Sequence, residues 1–118
     1  MSSKVACYLR TLRIEWGLTQ KELSSLLPKG DRDRVRSVEL GRAPPNAAEI
    51  LAYPLIFGLP AGKIFPKFSE DTAETVMQRA YRLSRRLEGD ASPKAGHKRE
   101  LLERLRARAI KSAQQSEV

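Results

Sequence analysis

The sequence predicts an all-α protein: five short helices forming one small domain over residues 1–68, then two longer helices over 69–118. Three observations carry this. Apolar residues recur at helical spacings of three and four, as in Val5, Leu9, Leu12 and Trp16. Helix starts and stops punctuate the first half, with capping residues at Thr19, Asp31 and Asn46 and stop glycines at Gly17 and Gly41. Beyond residue 68 the amphipathic stretches lengthen and are parted by one linker-like run, Gly89-Asp90-Ala91-Ser92-Pro93-Lys94-Ala95-Gly96.

Taken in order, residues 4–16 predict a first helix with the stripe just named, ended by Gly17. Thr19, with Glu22 three residues on, makes a capping box for a second helix whose Leu23, Leu26 and Leu27 share a face. Leu27-Pro28-Lys29-Gly30 is a turn. Asp31 caps a third helix with Val35 and Val38 inward, stopped by Gly41. Arg42-Ala43-Pro44-Pro45-Asn46 is extended, because a residue before proline is pushed out of the helical region. Asn46 caps a fourth helix carrying Ile50, Leu51, Leu55, Ile56 and Phe57, with a kink or break expected near Tyr53 from Pro54. Gly58 to Gly62 is a loop, and Lys63-Ile64-Phe65-Pro66 a single apolar turn. A longer helix over 69–88 starts from a Ser69 cap, with Glu70, Asp71 and Glu74 at its positive end and Arg79, Arg82, Arg85 and Arg86 in its later turns. Its apolar face is Ala73, Val76, Met77, Ala80, Leu83 and Leu87. His97 to Ala113 forms the last helix, with Leu101, Leu102, Leu105 and Ala109 on one side, and Gln114 to Val118 frays.

A net charge of +8, from 22 Lys and Arg against 14 Asp and Glu, predicts affinity for polyanions. A membrane is the weaker candidate, since no apolar run approaches the roughly 18 residues a spanning helix needs. Met-Ser-Ser-Lys-Val-Ala-Cys lacks the apolar stretch of a signal peptide, and one cysteine forms no internal disulfide, so a reducing cytoplasm is expected. Cys7 and His97 lie too far apart to suggest a metal site or a nucleophile–base pair. Neither cofactor, metal nor enzymatic activity is expected.

Charge concentrates on the third helix. Its outward face carries Arg32, Asp33, Arg34, Arg36 and Ser37, the arrangement of a helix-turn-helix whose second helix enters the DNA major groove. The chain also resembles a family here. Leu9-Arg10-Thr11-Leu12-Arg13 with Gly17-Leu18-Thr19-Gln20-Lys21-Glu22-Leu23 is similar to the opening of Xre/Cro-type phage-repressor domains. So are Val35-Arg36-Ser37-Val38-Glu39, Gly41-Arg42, the Pro45 connector, and Phe57-Gly58 followed by Ile64-Phe65. The resemblance covers about residues 5–66. It implies a five-helix DNA-binding domain acting as a homodimer on a two-fold symmetric operator, in a bacterial or phage-encoded protein at the nucleoid.

By position, the resemblance implies base contacts from Gln20, Arg32, Asp33, Arg36 and Ser37, and phosphate contacts from Arg34 and Arg42. Lys29, in the turn, is a further candidate for phosphate. Arg13 and Glu39 match an internal ion pair. Arginine suits the role because it grips guanine O6 and N7 with two hydrogen bonds, and Asp33 accepts from cytosine N4 or simply favours the helix N-terminus. Two departures stand out: one extra residue between Leu27 and Val35, with Pro28-Lys29-Gly30 replacing the usual turn, and Pro54 within the fourth helix. The C-terminal stripes over 69–118 either pack back on the domain or serve dimerisation or a protein partner, with dimerisation favoured, and basic residues among interleaved acids there suit a solvated face. A transcriptional regulator, most simply a repressor, is the first functional expectation. An antitoxin or anti-activator binding a partner through 69–118 is the second.

Overall fold

The computed structural model describes the backbone of residues 6–116 and the side chains of 6–112; Val5 of the first stripe and the last two residues of the tail lie outside it. The described chain is all-helical: α1 Leu9–Glu15, α2 Gln20–Ser25, α3 Arg32–Glu39, α4 Ala47–Phe57, α5 Ala61–Ile64, α6 Pro66–Arg86 and α7 Pro93–Ser116. It divides into two compact units, Met1–Glu70 and Asp71–Val118, so the boundary falls inside α6. No helix among the described residues is long and apolar enough to cross a membrane.

The core of the first unit is Leu9, Leu23, Leu27, Val35, Val38, Tyr53, Ile64 and Phe65. The Tyr53 and Phe65 rings meet at 5.9 Å, tilted by 52°. Within this core α2 packs on α3, α1 on α3, and α4 on α5. Two helices start from complete capping boxes, Thr19 with Glu22 and Asn46 with Glu49. Asp31 caps α3 by accepting from the Asp33 amide at 2.9 Å.

Several elements differ from the sequence expectation, each for a local reason. α1 begins only at Leu9, because the Tyr8 amide donates to the Ile64 carbonyl (2.8 Å) and the Leu9 amide to Cys7 Sγ (3.4 Å). Trp16, at its other end, is the C-cap and 70 % exposed rather than core. Leu26, the C-cap of α2, is also exposed, as are Leu51 and Leu55 on α4. α4 does not break near Tyr53. Pro54 removes one amide in the last turn, and the helix runs on to Gly58, whose amide bonds the Pro54 carbonyl at 2.8 Å in the left-handed conformation (φ 70°).

Three further boundaries shift. The apolar turn spans Ala61–Ile64, leaving Phe65 as its cap. Ser69 is not a cap: its amide bonds the Phe65 carbonyl at 3.0 Å inside a helix that already starts at Pro66. The linker shrinks because α7 starts at Pro93, with Ser92 Oγ accepting from the Ala95 amide at 3.3 Å. Proline occupies the first helical position in both cases, where its fixed φ suits the helix and its missing N–H costs nothing. Gln114 to Ser116 remain helical.

In the second unit Leu87 and Ala95 are buried, and Arg99 NH1 donates to the Leu87 carbonyl at 2.9 Å. Met77, Ala80, Leu83, Leu102, Leu105 and Ala109 are half-buried, whereas Ala73, Val76 and Leu101 face solvent. Interleaved charges pair locally, as in Arg104 with Glu100 at 2.7 Å.

Candidate nucleic-acid interface

Each helical turn of α3 divides into an inner and an outer side. Val35, Val38 and Glu39 are buried, at 0, 1 and 8 % exposure. Arg32, Asp33 and Arg36 are exposed and Ser37 half-buried. Neither Arg32 nor Arg36 has an ion-pair partner among the described residues. Lys29, in the turn before α3, and Arg42, just after it, are exposed as well. The Arg42 amide closes the helix end by donating to the Ser37 carbonyl at 2.9 Å.

The inner side is fixed by two carboxylates. Glu39, its side chain 1 % exposed, takes Arg13 Nε on Oε2 at 2.5 Å and Arg13 NH2 on Oε1 at 3.1 Å. Arg13 NH1 donates to the Leu18 carbonyl at 2.9 Å, so one guanidinium joins α1, the α1–α2 connection and α3. Gln20 Nε2 also donates to Glu39 Oε1, at 3.2 Å. The half-buried amide of Gln20 is thereby oriented at the start of α2. It lines a shallow concavity with Arg13, Leu18, Thr19, Lys21 and Arg32. A paired, hydrogen-bonded carboxylate is the form in which a buried charge is tolerated.

Glu49 is the second internal carboxylate, 4 % exposed at its side chain. Arg34 Nε donates to Oε2 at 3.0 Å, and NH2 donates to Oε1 at 2.7 Å and to the Pro44 carbonyl at 2.7 Å. The sequence places Arg34 near phosphates; in the structure its guanidinium instead ties α3 to the first turn of α4. Hydrogen bonding to Glu49 raises the Arg34 guanidinium further above its ordinary value. The same Oε1 accepts the Asn46 amide at 2.7 Å. The Asn46-x-x-Glu49 spacing carries a visible capping signal, but nothing in it points to Arg34.

Tyr53 is fully buried beneath these groups, and its hydroxyl has no hydrogen-bond partner among the described residues. Burial, reinforced by the Glu49 and Glu39 carboxylates, pushes its phenol well above its usual range. Burial likewise pushes the Cys7 thiol up.

The lengthened turn is accommodated by Gly30. A Cβ there would lie 1.9 Å from the Ser24 carbonyl oxygen and 2.7 Å from its carbon, so the loop closes directly onto the α2 backbone. Glycine is required for want of room rather than for its freedom of φ.

The structure thus brings Gln20 and Arg32 to one concavity and leaves Arg36, Asp33, Lys29 and Arg42 outward. Arg13 and Arg34 are instead paired with the internal carboxylates Glu39 and Glu49. Among the described residues no group of three His, Cys, Asp or Glu side chains is placed to hold a metal. No protein-family model, curated protein or solved structure matches this chain.

Proposed function

We propose that this protein binds double-stranded DNA sequence-specifically and regulates transcription, most simply as a repressor, with α2 and α3 acting as a helix-turn-helix in a five-helix domain. One observation carries the reading: α3 is held from behind by Val35, Val38 and Glu39 while Arg32 and Arg36 face outward unpaired. A rigid helix offering guanidinium groups fits the major groove, where bidentate contact to guanine is worth about 1–3 kcal/mol of discrimination. Gln20, Asp33 and Ser37 add polar contacts beside them. Lys29 and Arg42 fix register on phosphates, which carries affinity but no sequence information. Arg34 acts on DNA only indirectly, by positioning α3. A dimer sets two such helices about 34 Å apart on a palindromic operator.

Footprinting on the DNA upstream of the protein's own gene, followed by selection from random duplexes, tests the reading. Protection of an inverted repeat is expected. Binding that is equally tight for every duplex defeats it. Arg36→Ala is expected to relax preference at one base pair; uniform weakening across sequences reassigns Arg36 to phosphate.

A second reading, an antitoxin or anti-activator that grips a protein through residues 69–118 and regulates its own gene, has one observation in its favour. Val76, Tyr81, Leu101 and Ile110 of the second unit are 42, 63, 60 and 49 % exposed. Affinity capture with the full chain that recovers one stoichiometric partner encoded beside the gene supports it; recovery of the bait alone counts against it.

A further inference from the structure

α4 is the reverse of an ordinary surface helix. Its one charged residue, Glu49, is buried at 3 % exposure, while Leu51 and Leu55, one turn apart, are 76 and 86 % exposed. Ala47 and Ala48 are exposed too, and Leu59, just past the helix, is 37 % exposed. Single exposed leucines are unremarkable; two at i and i+4 on a helix with no outward charge mark a contact surface. The alanines leave room for close approach of another helix.

Charge selects the occupant. Residues 43–62 contain no lysine or arginine, in a chain that carries 22 of them and a net charge of +8. Two copies repel wherever cation-bearing surfaces approach, and the outer face of α4 can meet its own copy without apposing like charges. A polyanion finds nothing to grip there. We propose that Ala47, Ala48, Leu51 and Leu55 form a self-contact, in which α4 packs on α4 of a second copy across a two-fold axis. An isologous contact of this kind needs only one self-complementary patch.

The Arg34–Glu49 pair makes the contact consequential. Because it locks α3 to the first turn of α4, a dimer seated on α4 holds two copies of α3 at a set separation. The inference deepens the DNA-binding reading, rests on it for its purpose only, and moves the dimer seat away from residues 69–118.

The full chain is tested by sedimentation equilibrium over a range of concentrations. The unaltered protein is expected to form a dimer, and the double variant L51E/L55E to dissociate at least about tenfold more readily, with its circular dichroism and Tm retained. Leu101→Glu on α7 is expected to leave the dimer unchanged. Should L51E/L55E fold poorly, Leu55→Cys gives an independent readout: a short bismaleimide is expected to trap it as a covalent dimer under conditions where the unaltered chain, with only half-buried Cys7, stays uncross-linked. Three results overturn the proposal: a chain monomeric at every concentration, an L51E/L55E dimer as tight as the original, or dissociation by Leu101→Glu alone. A dimer lost in L51E/L55E, in a protein that protects no DNA, leaves the self-contact standing and defeats the DNA reading instead.

Discussion

At Gly30 the difference between a hydrogen and a methyl group is decisive. An alanine Cβ would overlap the Ser24 carbonyl oxygen, and backbone cannot swing aside as a side chain would. Gly30→Ala is expected to cost about 1–3 kcal/mol, read as a lower Tm, and to weaken DNA binding through the altered joint between α2 and α3. The proline and glycine mark this stretch as a turn; the close approach to Ser24 is tertiary and leaves no mark on local sequence. Tyr53 is the opposite case, a buried hydroxyl with no hydrogen-bond partner among the described residues. Tyr53→Phe is expected to leave stability unchanged or raise it by about 1 kcal/mol, because it removes a buried hydroxyl without creating a cavity. Its titration gives a further expectation. The folded protein keeps the phenol proton at pH values where the unfolded chain, with the ordinary value of 10.0, releases it. Stability therefore falls as pH rises above about 10, and Tyr53→Phe removes that part of the fall. Cys7 adds a loss of the same sign above its ordinary 9.0. Denaturant melts between pH 8 and 11 on both proteins check this.

At the scale of helices, the roles of Arg34 and Arg36, two residues apart on α3 and on different sides of it, are separable by measurement. Arg34→Ala leaves the Glu49 carboxylate buried without its cation and is expected to cost on the order of 3 kcal/mol. Arg36→Ala, on the exposed side, is expected to change stability by less than about 0.5 kcal/mol while altering DNA preference. Equal losses of stability in the two variants would contradict the division between inner and outer faces. Capped helices were legible in the sequence because Thr19, Asp31 and Asn46 act on backbone groups two or three residues away. The uses of Pro54, Pro66 and Pro93 were not, because one residue type serves several ends. Pro28 marks a turn, Pro66 and Pro93 open helices, and Pro54 sits within a last turn that tolerates it. Only the partners of the neighbouring amides separate these uses.

For the whole molecule, the all-α architecture follows from periodicity and caps, which are local signals. Which apolar residues stay outside does not. Trp16, Leu26, Leu51 and Leu55 all match a helical stripe, yet they end on solvent because other helices cover only part of each stripe. The candidate site divides in the same way: the outward arginines could be read from spacing, whereas the partner of Arg34 lies on another helix. On the proposed DNA-binding reading, that pairing also fixes how binding answers to salt. A cation already neutralised by a buried carboxylate displaces few condensed ions from a phosphate. Arg13 and Arg34 therefore add nothing to the linear fall of log affinity with log salt concentration, and the slope counts only outward groups such as Lys29, Arg32, Arg36 and Arg42. Lys29→Ala and Arg42→Ala are each expected to make that slope shallower by about 0.9, whereas Arg34→Lys is expected to leave it as it was. Titrations of a labelled duplex at several salt concentrations would show how many of the charges written in the sequence the fold has already withdrawn from exchange with the solution's ions.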